Sequence, residues 1–132
     1  MKKILSYKTI LTFCAVVLAL ISLRMHTDPA GVTANEFPYA QGDAFEVAVT
    51  IRHLIASLLL AIASITFFAG RVEDTKSQQS VLNGCILGFV VMCITLGTMT
   101  FIQAGELIIG TTIFAVLTAL CIYKRVTNSE GN

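Results

Sequence analysis

Polar side chains recur within the second long apolar stretch at spacings that would place them on one face of a helix. The steps between them are 4, 3, 4 and 7 residues, which match a helix of ~3.6 residues per turn. A carboxylate and an imidazole on one face could bind a polar ligand or transfer a proton. Polar groups in hydrocarbon need partners, so we expect this face to turn toward neighbouring helices. We call it the polar stripe: Glu46, Thr50, His53, Ser57 and Ser64.

Further ionisable and amide side chains are predicted to meet at the end of the molecule where this helix begins. Ionisable groups at membrane depth are candidates for function, and a small polar ligand, a lipid head group, a quinone or a metal could bind there. The alternative is a polar cap at the membrane interface, whose charges pair with each other and with water. The candidate ligand-binding residues are Glu46, Arg52, His53 and Glu106, with His26, Asp28 and Gln103 expected nearby.

No catalytic residue, metal ligand or cofactor is predicted. The two histidines, His26 and His53, share no metal-ligand spacing such as HxxxH, and His26 falls in a predicted loop, which argues against haem. No P-loop, HExxH or nucleophile motif occurs. Residues 77–102 and 107–123 contain no Asp, Glu, Lys, Arg or His, whereas proton-coupled transporters place a carboxylate deep in the membrane.

The four cysteines, Cys14, Cys85, Cys93 and Cys121, all fall inside apolar stretches. None belongs to a CxxC pair, so neither a disulfide framework nor a metal site is indicated. They are predicted to be small, buried, apolar residues, and the alternative is a redox pair across two helices.

The composition indicates a membrane protein rather than a soluble domain. Of 132 residues, 55% are hydrophobic and 13% are charged, and the mean hydropathy is +0.80. Soluble domains carry about 25% charged residues, and a domain this small cannot bury so much apolar surface within itself. A net charge of +1 provides no basic field for nucleic acid, so the expected partner is the lipid bilayer.

Four stretches are long and apolar enough to be transmembrane helices, which need about 20 residues each. Asp43 with Glu46, and Thr75 with Gln78, have the spacing of a capping box at a helix start, and Gly70 suits a helix end. The predicted fold is all-α: a polytopic membrane protein with an antiparallel bundle of four transmembrane helices in one domain. The predicted helices cover residues 9–23, 44–69, 76–102 and 107–123, with an external loop at 24–42 and a disordered tail at 126–132.

The first predicted helix also has features of a secretory signal peptide, because three lysines precede or open its apolar run. That run ends in Ser22-Leu23-Arg24-Met25, which does not match a cleavage site made of small residues. We therefore expect an uncleaved helix.

The distribution of basic residues predicts the orientation, because loops rich in Lys and Arg stay in the cytoplasm. Placing the N-terminus in the cytoplasm puts seven of the nine basic residues inside and leaves Arg24 and Arg52 outside. The predicted location is the bacterial inner membrane, with both termini cytoplasmic.

Small residues four apart predict where helices pack, because association in lipid depends on close approach and on polar contacts. The pair on the third helix is a GxxxG, which could alternatively serve a homodimer. The predicted packing residues are Ala15 and Ala19, Ser57 and Ala61, Gly84 and Gly88, and Ala115 and Ala119.

Two short motifs accompany the basic start and the apolar first helix: Asp28-Pro29-Ala30-Gly31 and Ile51-Arg52-His53. On these features the chain resembles the small four-helix bacterial inner-membrane proteins of the DoxX-like and related uncharacterised groups. In those groups an Asp-Pro turn often follows the first helix and an Arg opens the second. The resemblance implies a small inner-membrane protein that works with partners, and it carries over no activity, cofactor or catalytic residue.

The small size, the lack of deep charges and the small-residue helix faces favour a non-enzymatic accessory or interaction subunit, which binds another membrane protein or itself. One alternative is a small oligomeric transporter or channel, with a path lined by Thr95, Thr98, Thr111 and Thr118. Another is an enzyme that acts on a lipid or quinone at the outer interface, using Glu46, Arg52 and His53.

Overall fold

The computed structural model describes residues 6–102 and 107–129, and the chain is helical through most of both ranges. Within them, four helices are long and apolar enough to cross a membrane, so the predicted all-α chain with four membrane-length helices is confirmed. A fifth helix is short and lies between the first two long ones. The helices are α1 (Tyr7–Thr27), α2 (Pro29–Glu36), α3 (Asp43–Ala69), α4 (Thr75–Ile102) and α5 (Ile108–Ser129).

Asp28 joins α1 to α2 and serves both helices. Its backbone N–H donates to the Arg24 carbonyl at 3.1 Å and ends α1, while its carboxylate accepts from the Gly31 N–H at 3.0 Å and caps α2. Pro29 occupies the first position of α2, where a missing N–H costs nothing. The stretch 24–42, predicted to be a loop, therefore contains the last turn of α1 and the whole of α2.

Gly42 is the N-cap residue of α3, and the capping box predicted from Asp43 and Glu46 is wrong. No side chain among the described residues caps this end; the Gly42 carbonyl accepts instead from the N–H groups of Phe45 at 3.0 Å and Glu46 at 3.3 Å. Gly42 has a φ of +58°, a conformation that glycine adopts without the steric cost that other residues meet. Asp43 is already the first helical residue and does not supply the cap.

Gly70 ends α3, as predicted, but not through a left-handed conformation, because its φ is −65°. A Cβ on Gly70 would lie 3.1 Å from the Cβ of Leu11 in α1. Glycine at this position therefore allows the end of α3 to lie close against α1.

Asp74 caps α4, so the capping box predicted from Thr75 and Gln78 is also wrong. The Asp74 carboxylate accepts from the Ser77 N–H at 2.9 Å, the Lys76 N–H at 3.3 Å and the Ser77 hydroxyl at 2.6 Å. Gln78 reaches back across the turn, and its amide donates to the Val72 carbonyl at 2.7 Å. A carboxylate is favoured at this end because the N-terminus of a helix carries partial positive charge.

The long helices pack as two antiparallel pairs. In the first pair, α1 packs along α3, and the Ser22 hydroxyl donates to the Ala56 carbonyl at 2.7 Å. In the second pair, α4 packs along α5, with the Thr100 and Thr111 hydroxyls 3.3 Å apart. Contacts between the two pairs are fewer.

The core forms around α1, the long helix with the largest buried share. Leu11, Cys14 and Leu18 of α1 are at most 1% exposed. By contrast, α4 buries only one narrow strip and leaves most of its surface open. The core residues outside α1 are Leu59 and Ala63 of α3, Leu82 and Phe89 of α4, and Phe114, Leu117 and Cys121 of α5.

The last helix, α5, continues beyond the apolar stretch to Ser129, so residues 126–129 of the predicted disordered tail are helical. The Thr127 hydroxyl donates to the Tyr123 carbonyl at 3.0 Å within this extension. Backbone hydrogen bonds of a helix need no apolar side chains, which is why hydropathy placed its end too early. Residues 130–132 lie outside the described residues.

Candidate functional site

Arg52 lies buried where α3 meets α2. One guanidinium nitrogen, Nη2, donates to Glu36 Oε2 at 2.6 Å, and the guanidinium carbon lies 5.8 Å from the centre of the Phe37 ring. The side chains of Arg52 and Glu36 are 9% and 23% exposed. Predicted as a ligand-binding residue, Arg52 is instead held in an ion pair and a cation–π contact.

Glu36 is the residue that sequence reasoning missed, because it fell inside the predicted loop. It is the last residue of α2, which packs against α3 and α1. Thr33 anchors that helix: it is fully buried, and its hydroxyl donates to the Pro29 carbonyl at 2.7 Å. The Asp28-Pro29 helix start is the sequence signal that could have indicated α2.

His26 and His53 lie side by side, on α1 and α3. Their ring centres are 5.9 Å apart, and the ring planes are inclined at 65°. His26 Nδ1 lies 3.0 Å from the Ser22 carbonyl oxygen, and its Nε2 lies 3.4 Å from the Ser57 hydroxyl. Both imidazoles are exposed. His53, one of the predicted ligand-binding residues, therefore has the ionisable side chain of His26 as a neighbour.

Among the described residues, Glu46 does not join this pair. Glu46 is exposed in the first turn of α3, and the ion pair of Arg52 is made with Glu36 instead. Glu106 and its neighbour Gln103 lie outside the described residues. For the described members of the predicted cluster, the structure shows two separate contacts, the Arg52–Glu36 ion pair and the pair of histidines.

All five residues of the polar stripe are exposed, contrary to the prediction that it turns toward the bundle, although His53 and Ser57 contact His26 of α1. The hydroxyls on it are satisfied within α3 itself. Thr50 donates to the Glu46 carbonyl at 3.0 Å, Ser57 to the His53 carbonyl at 3.0 Å, and Ser64 to the Leu60 carbonyl at 2.9 Å. Because each hydroxyl has a carbonyl one turn earlier, no neighbouring helix is required.

Small residues pack in the core at positions that differ from most of the predicted ones. Ala15 is buried and Ala19 packs against the core, as predicted. Within residues 6–102 and 107–129, a Cβ on Gly84 or Gly88 would meet no atom within 4 Å outside the adjacent backbone of α4. Gly84, Gly88, Ser57, Ala61, Ala115 and Ala119 are all exposed, so the expected packing of these residues within the chain is not observed.

A groove of about 440 Å³ runs between α1 and α5. Apolar side chains dominate its lining, including Phe13 and Val17 of α1 and Ile109 and Val116 of α5. It lacks the convergent polar groups that fix the orientation of a polar ligand. The polar ligand site proposed from the sequence is therefore not in this groove.

Two of the four cysteines meet across helices. The sulfur atoms of Cys14 in α1 and Cys121 in α5 are 3.7 Å apart, and both residues are completely buried. All four cysteines are free thiols. The prediction of small buried residues holds for this pair, while Cys85 and Cys93 are partly exposed.

Comparison of the chain with protein-family models, curated proteins and solved structures gave no match. This result neither supports nor contradicts the resemblance to DoxX-like proteins, which stays a prediction.

Proposed function

We propose that this chain is a multi-pass protein of the bacterial inner membrane that acts as a non-enzymatic interaction subunit, and that α4 binds a transmembrane helix of another membrane protein. The observation that carries the proposal is the open surface of α4. The 18-residue apolar stretch of this helix has a mean hydropathy of 2.3, the highest among the four membrane-length helices, and only 6% of that stretch is buried, the smallest share.

Gly84 and Gly88 make the open surface of α4 suitable for close contact with another helix. They are one turn apart, and no atom of the described residues packs beside either one. Helix association in lipid depends on small residues that let two backbones approach. The unfilled space at Gly84 and Gly88 is available to a helix from outside this chain.

Asn83 adds a polar group to the same surface. It is exposed, and its side chain makes no hydrogen bond within the part of the chain that the structure describes. Asn83 lies about 12 Å along α4 from Thr75. The whole helix is about 12 Å longer than a ~30 Å hydrocarbon core. If that extra length is divided equally between the two ends of the helix, Asn83 lies inside the hydrocarbon. An unpaired amide in hydrocarbon favours association with a helix that offers it a partner.

The arrangement of charges supports an orientation with both termini in the cytoplasm. The antiparallel packing brings the start of α1, the turn after α3 and the end of α5 to one end of the bundle, as the Lys124 contact with the Tyr7 ring at 4.8 Å illustrates. Arg24 and Arg52 belong to the opposite end. An excess of basic residues marks the cytoplasmic end.

Purification in mild detergent followed by native mass measurement tests the proposed subunit role. We expect the chain to be recovered with a second membrane protein, and the double variant G84L/G88L to lose that protein. The open space beside both glycines means that leucines there leave the fold of the chain intact, which circular dichroism would check.

The matched control is A115L/A119L, which introduces the same bulk on exposed positions of α5. We expect this variant to retain the partner. Loss of the partner in both variants would contradict the assignment to α4. Recovery of the parent as a homo-oligomer with no other protein would contradict the subunit role and favour the transporter or channel.

The two alternative functions have weaker support. The threonines suggested for a transport path bond within their own helices: Thr98 donates to the Ile94 carbonyl at 2.8 Å, and Thr118 to the Phe114 carbonyl at 2.8 Å. An enzyme using Glu46, Arg52 and His53 would need groups that converge on a substrate, whereas Arg52 is occupied by Glu36.

A further inference from the structure

We propose that His26 and His53 form a two-ligand site for a divalent transition metal ion, such as Cu²⁺ or Zn²⁺, with water completing the coordination shell. The two rings come from different helices and meet on an exposed surface with their centres 5.9 Å apart. The site is independent of the α4 surface and does not depend on the proposed subunit role.

The hydrogen bonds around His26 prepare one nitrogen for a metal. A carbonyl oxygen can only accept, so the 3.0 Å contact between Nδ1 and the Ser22 oxygen places the proton of the neutral ring on Nδ1. The lone pair of the ring is then on Nε2. Metal-binding histidines are commonly held in this way, with the second ring nitrogen donating to a backbone carbonyl.

The lone pair on Nε2 has one weak contact among the described residues, because the Ser57 hydroxyl oxygen lies 3.4 Å from it. Ser57 has one hydroxyl hydrogen and directs it to the His53 carbonyl at 3.0 Å. The ring of His53 likewise makes no hydrogen bond within the described part of the chain, so it also keeps a nitrogen available.

The separation of the rings suits shared coordination. A metal–nitrogen bond of about 2.0 Å puts the centre of an imidazole about 3 Å from the ion, so two imidazoles on one ion have centres about 5 to 6 Å apart. The observed separation of 5.9 Å lies within that range. The ring separation is therefore compatible with coordination of one ion by both imidazoles.

The ligand set indicates the class of metal. Imidazole nitrogen suits Cu²⁺, Zn²⁺ and Ni²⁺, whereas Mg²⁺ and Ca²⁺ prefer oxygen. Among the described residues, no group of three or more His, Cys, Asp or Glu side chains could hold a metal. Water therefore fills the remaining positions, and we expect binding weaker than that of a four-ligand structural zinc site.

Electron paramagnetic resonance with Cu²⁺ tests the site on the full chain in detergent, purified with a tag that contains no histidine. We expect the spectrum of the parent protein to show two coordinated imidazole nitrogens. Both single variants, H26Q and H53Q, should lose the two-nitrogen signal. Titration with Zn²⁺, followed by calorimetry, should give one site per chain in the parent and no saturable binding in either variant.

The matched control is T50A, which changes an exposed residue one turn before His53 and keeps both imidazoles. It should bind both metals as the parent does. Helical content and elution volume would show that each variant is folded, and a second pair of substitutions, H26N and H53N, would replace any that is not. A Cu²⁺ spectrum or Zn²⁺ isotherm unchanged in the folded histidine variants would overturn the proposal.

Discussion

Arg52 is a charged residue whose partners lie within the chain, so no bound ligand is needed to compensate its charge. Its guanidinium is held between the Glu36 carboxylate and the Phe37 ring, and its Nε has no hydrogen-bond partner within the described residues. An ion pair removed from water contributes little net stability, but loss of one partner leaves an uncompensated charge. We therefore regard this pair as the contact that fixes α2 against α3.

Replacing Glu36 with Gln should destabilise the chain by about 2 kcal/mol, below the range for fully buried pairs because Glu36 is 23% exposed. The remaining Arg52 charge would then lack its counter-charge. The free energy of unfolding, measured by titration with a denaturing detergent, checks this. The double variant E36Q/R52M no longer carries the Arg52 charge, so its loss of unfolding free energy should be smaller than the sum of the losses in E36Q and R52M. Strict additivity of the two single losses would mean that the pair does not interact.

Asp74 gives a second prediction for a single residue. Hydrogen bonds from the Ser77 hydroxyl, the Ser77 N–H and the Lys76 N–H hold the pKa of the Asp74 carboxyl below its ordinary value of 3.8. A carboxyl whose pKa is lowered by folding stabilises the folded state above the ordinary pKa. That contribution is lost as the pH falls through the lowered pKa of the folded state.

Replacing Ser77 with Ala removes the largest of these effects, so the pKa of Asp74 should rise toward its ordinary value. Titration of the carboxyl carbon of Asp74 by nuclear magnetic resonance in micelles measures this. The control is S80A, because the Ser80 hydroxyl donates to the Lys76 carbonyl and leaves Asp74 untouched. An equal rise in both variants would show that the Ser77 hydroxyl is not the cause.

At the scale of whole helices, α1 is the central element and packs on α3 along most of its length. In lipid, a separated helix loses no hydrophobic burial, because lipid tails are as apolar as leucine. The core is therefore stabilised by van der Waals contacts between its side chains, which a cavity would remove, rather than by transfer of those side chains out of water.

Leu11 and Leu20 make a matched test of this view on one helix. Leu11 is completely buried and Leu20 is 60% exposed. Replacing Leu11 with Ala should cost about 2 kcal/mol, the low end for buried leucines, and replacing Leu20 with Ala less than about 0.5 kcal/mol. Denaturing-detergent titration compares them. Similar losses at both positions would argue against a packed core around α1.

The long helices could be predicted from the sequence, but the faces they bury could not. Hydropathy finds an apolar run of membrane length whatever its surroundings. It does not say which face of α3 turns inward, because Thr50, Ser57 and Ser64 satisfy their hydroxyls within the helix and need no partner. The short helix α2 was missed because eight residues of mixed polarity give no hydropathy signal.

His26 was expected near His53, but their direct pairing was not predicted, because the end of α1 was placed too early. With α1 extended to Thr27, the antiparallel contact of Ser22 with Ala56 brings residue 26 level with residues 52 and 53. The two histidines then lie next to each other because α1 and α3 are antiparallel, so each residue forward along α1 corresponds to one residue back along α3. A spacing motif such as HxxxH cannot detect ligands that come from two helices.

At the scale of the whole molecule, the orientation in the membrane determines which side of the bilayer each of the two proposed surfaces faces. If the termini are cytoplasmic, the two histidines face the outer side, where a metal ion would reach them without crossing the bilayer. In the same orientation, Asn83 and the glycine pair on α4 would lie in the inner half, because α4 would begin at the cytoplasmic end and Asn83 is only about 12 Å along it. The two surfaces would therefore act on opposite sides.

Two single cysteine substitutions test this orientation. Tyr39, 91% exposed between α2 and α3, should lie outside, and Glu73, exposed in the turn before α4, should lie in the cytoplasm. A membrane-impermeant maleimide added to intact spheroplasts should label Y39C at once and E73C only after permeabilisation. The parent protein sets the background, because its own four cysteines all lie within the membrane-length helices. Labelling of E73C alone would reverse the orientation and move the histidines to the cytoplasmic side, whereas labelling of both would mean that the connections do not lie on opposite sides of a bilayer.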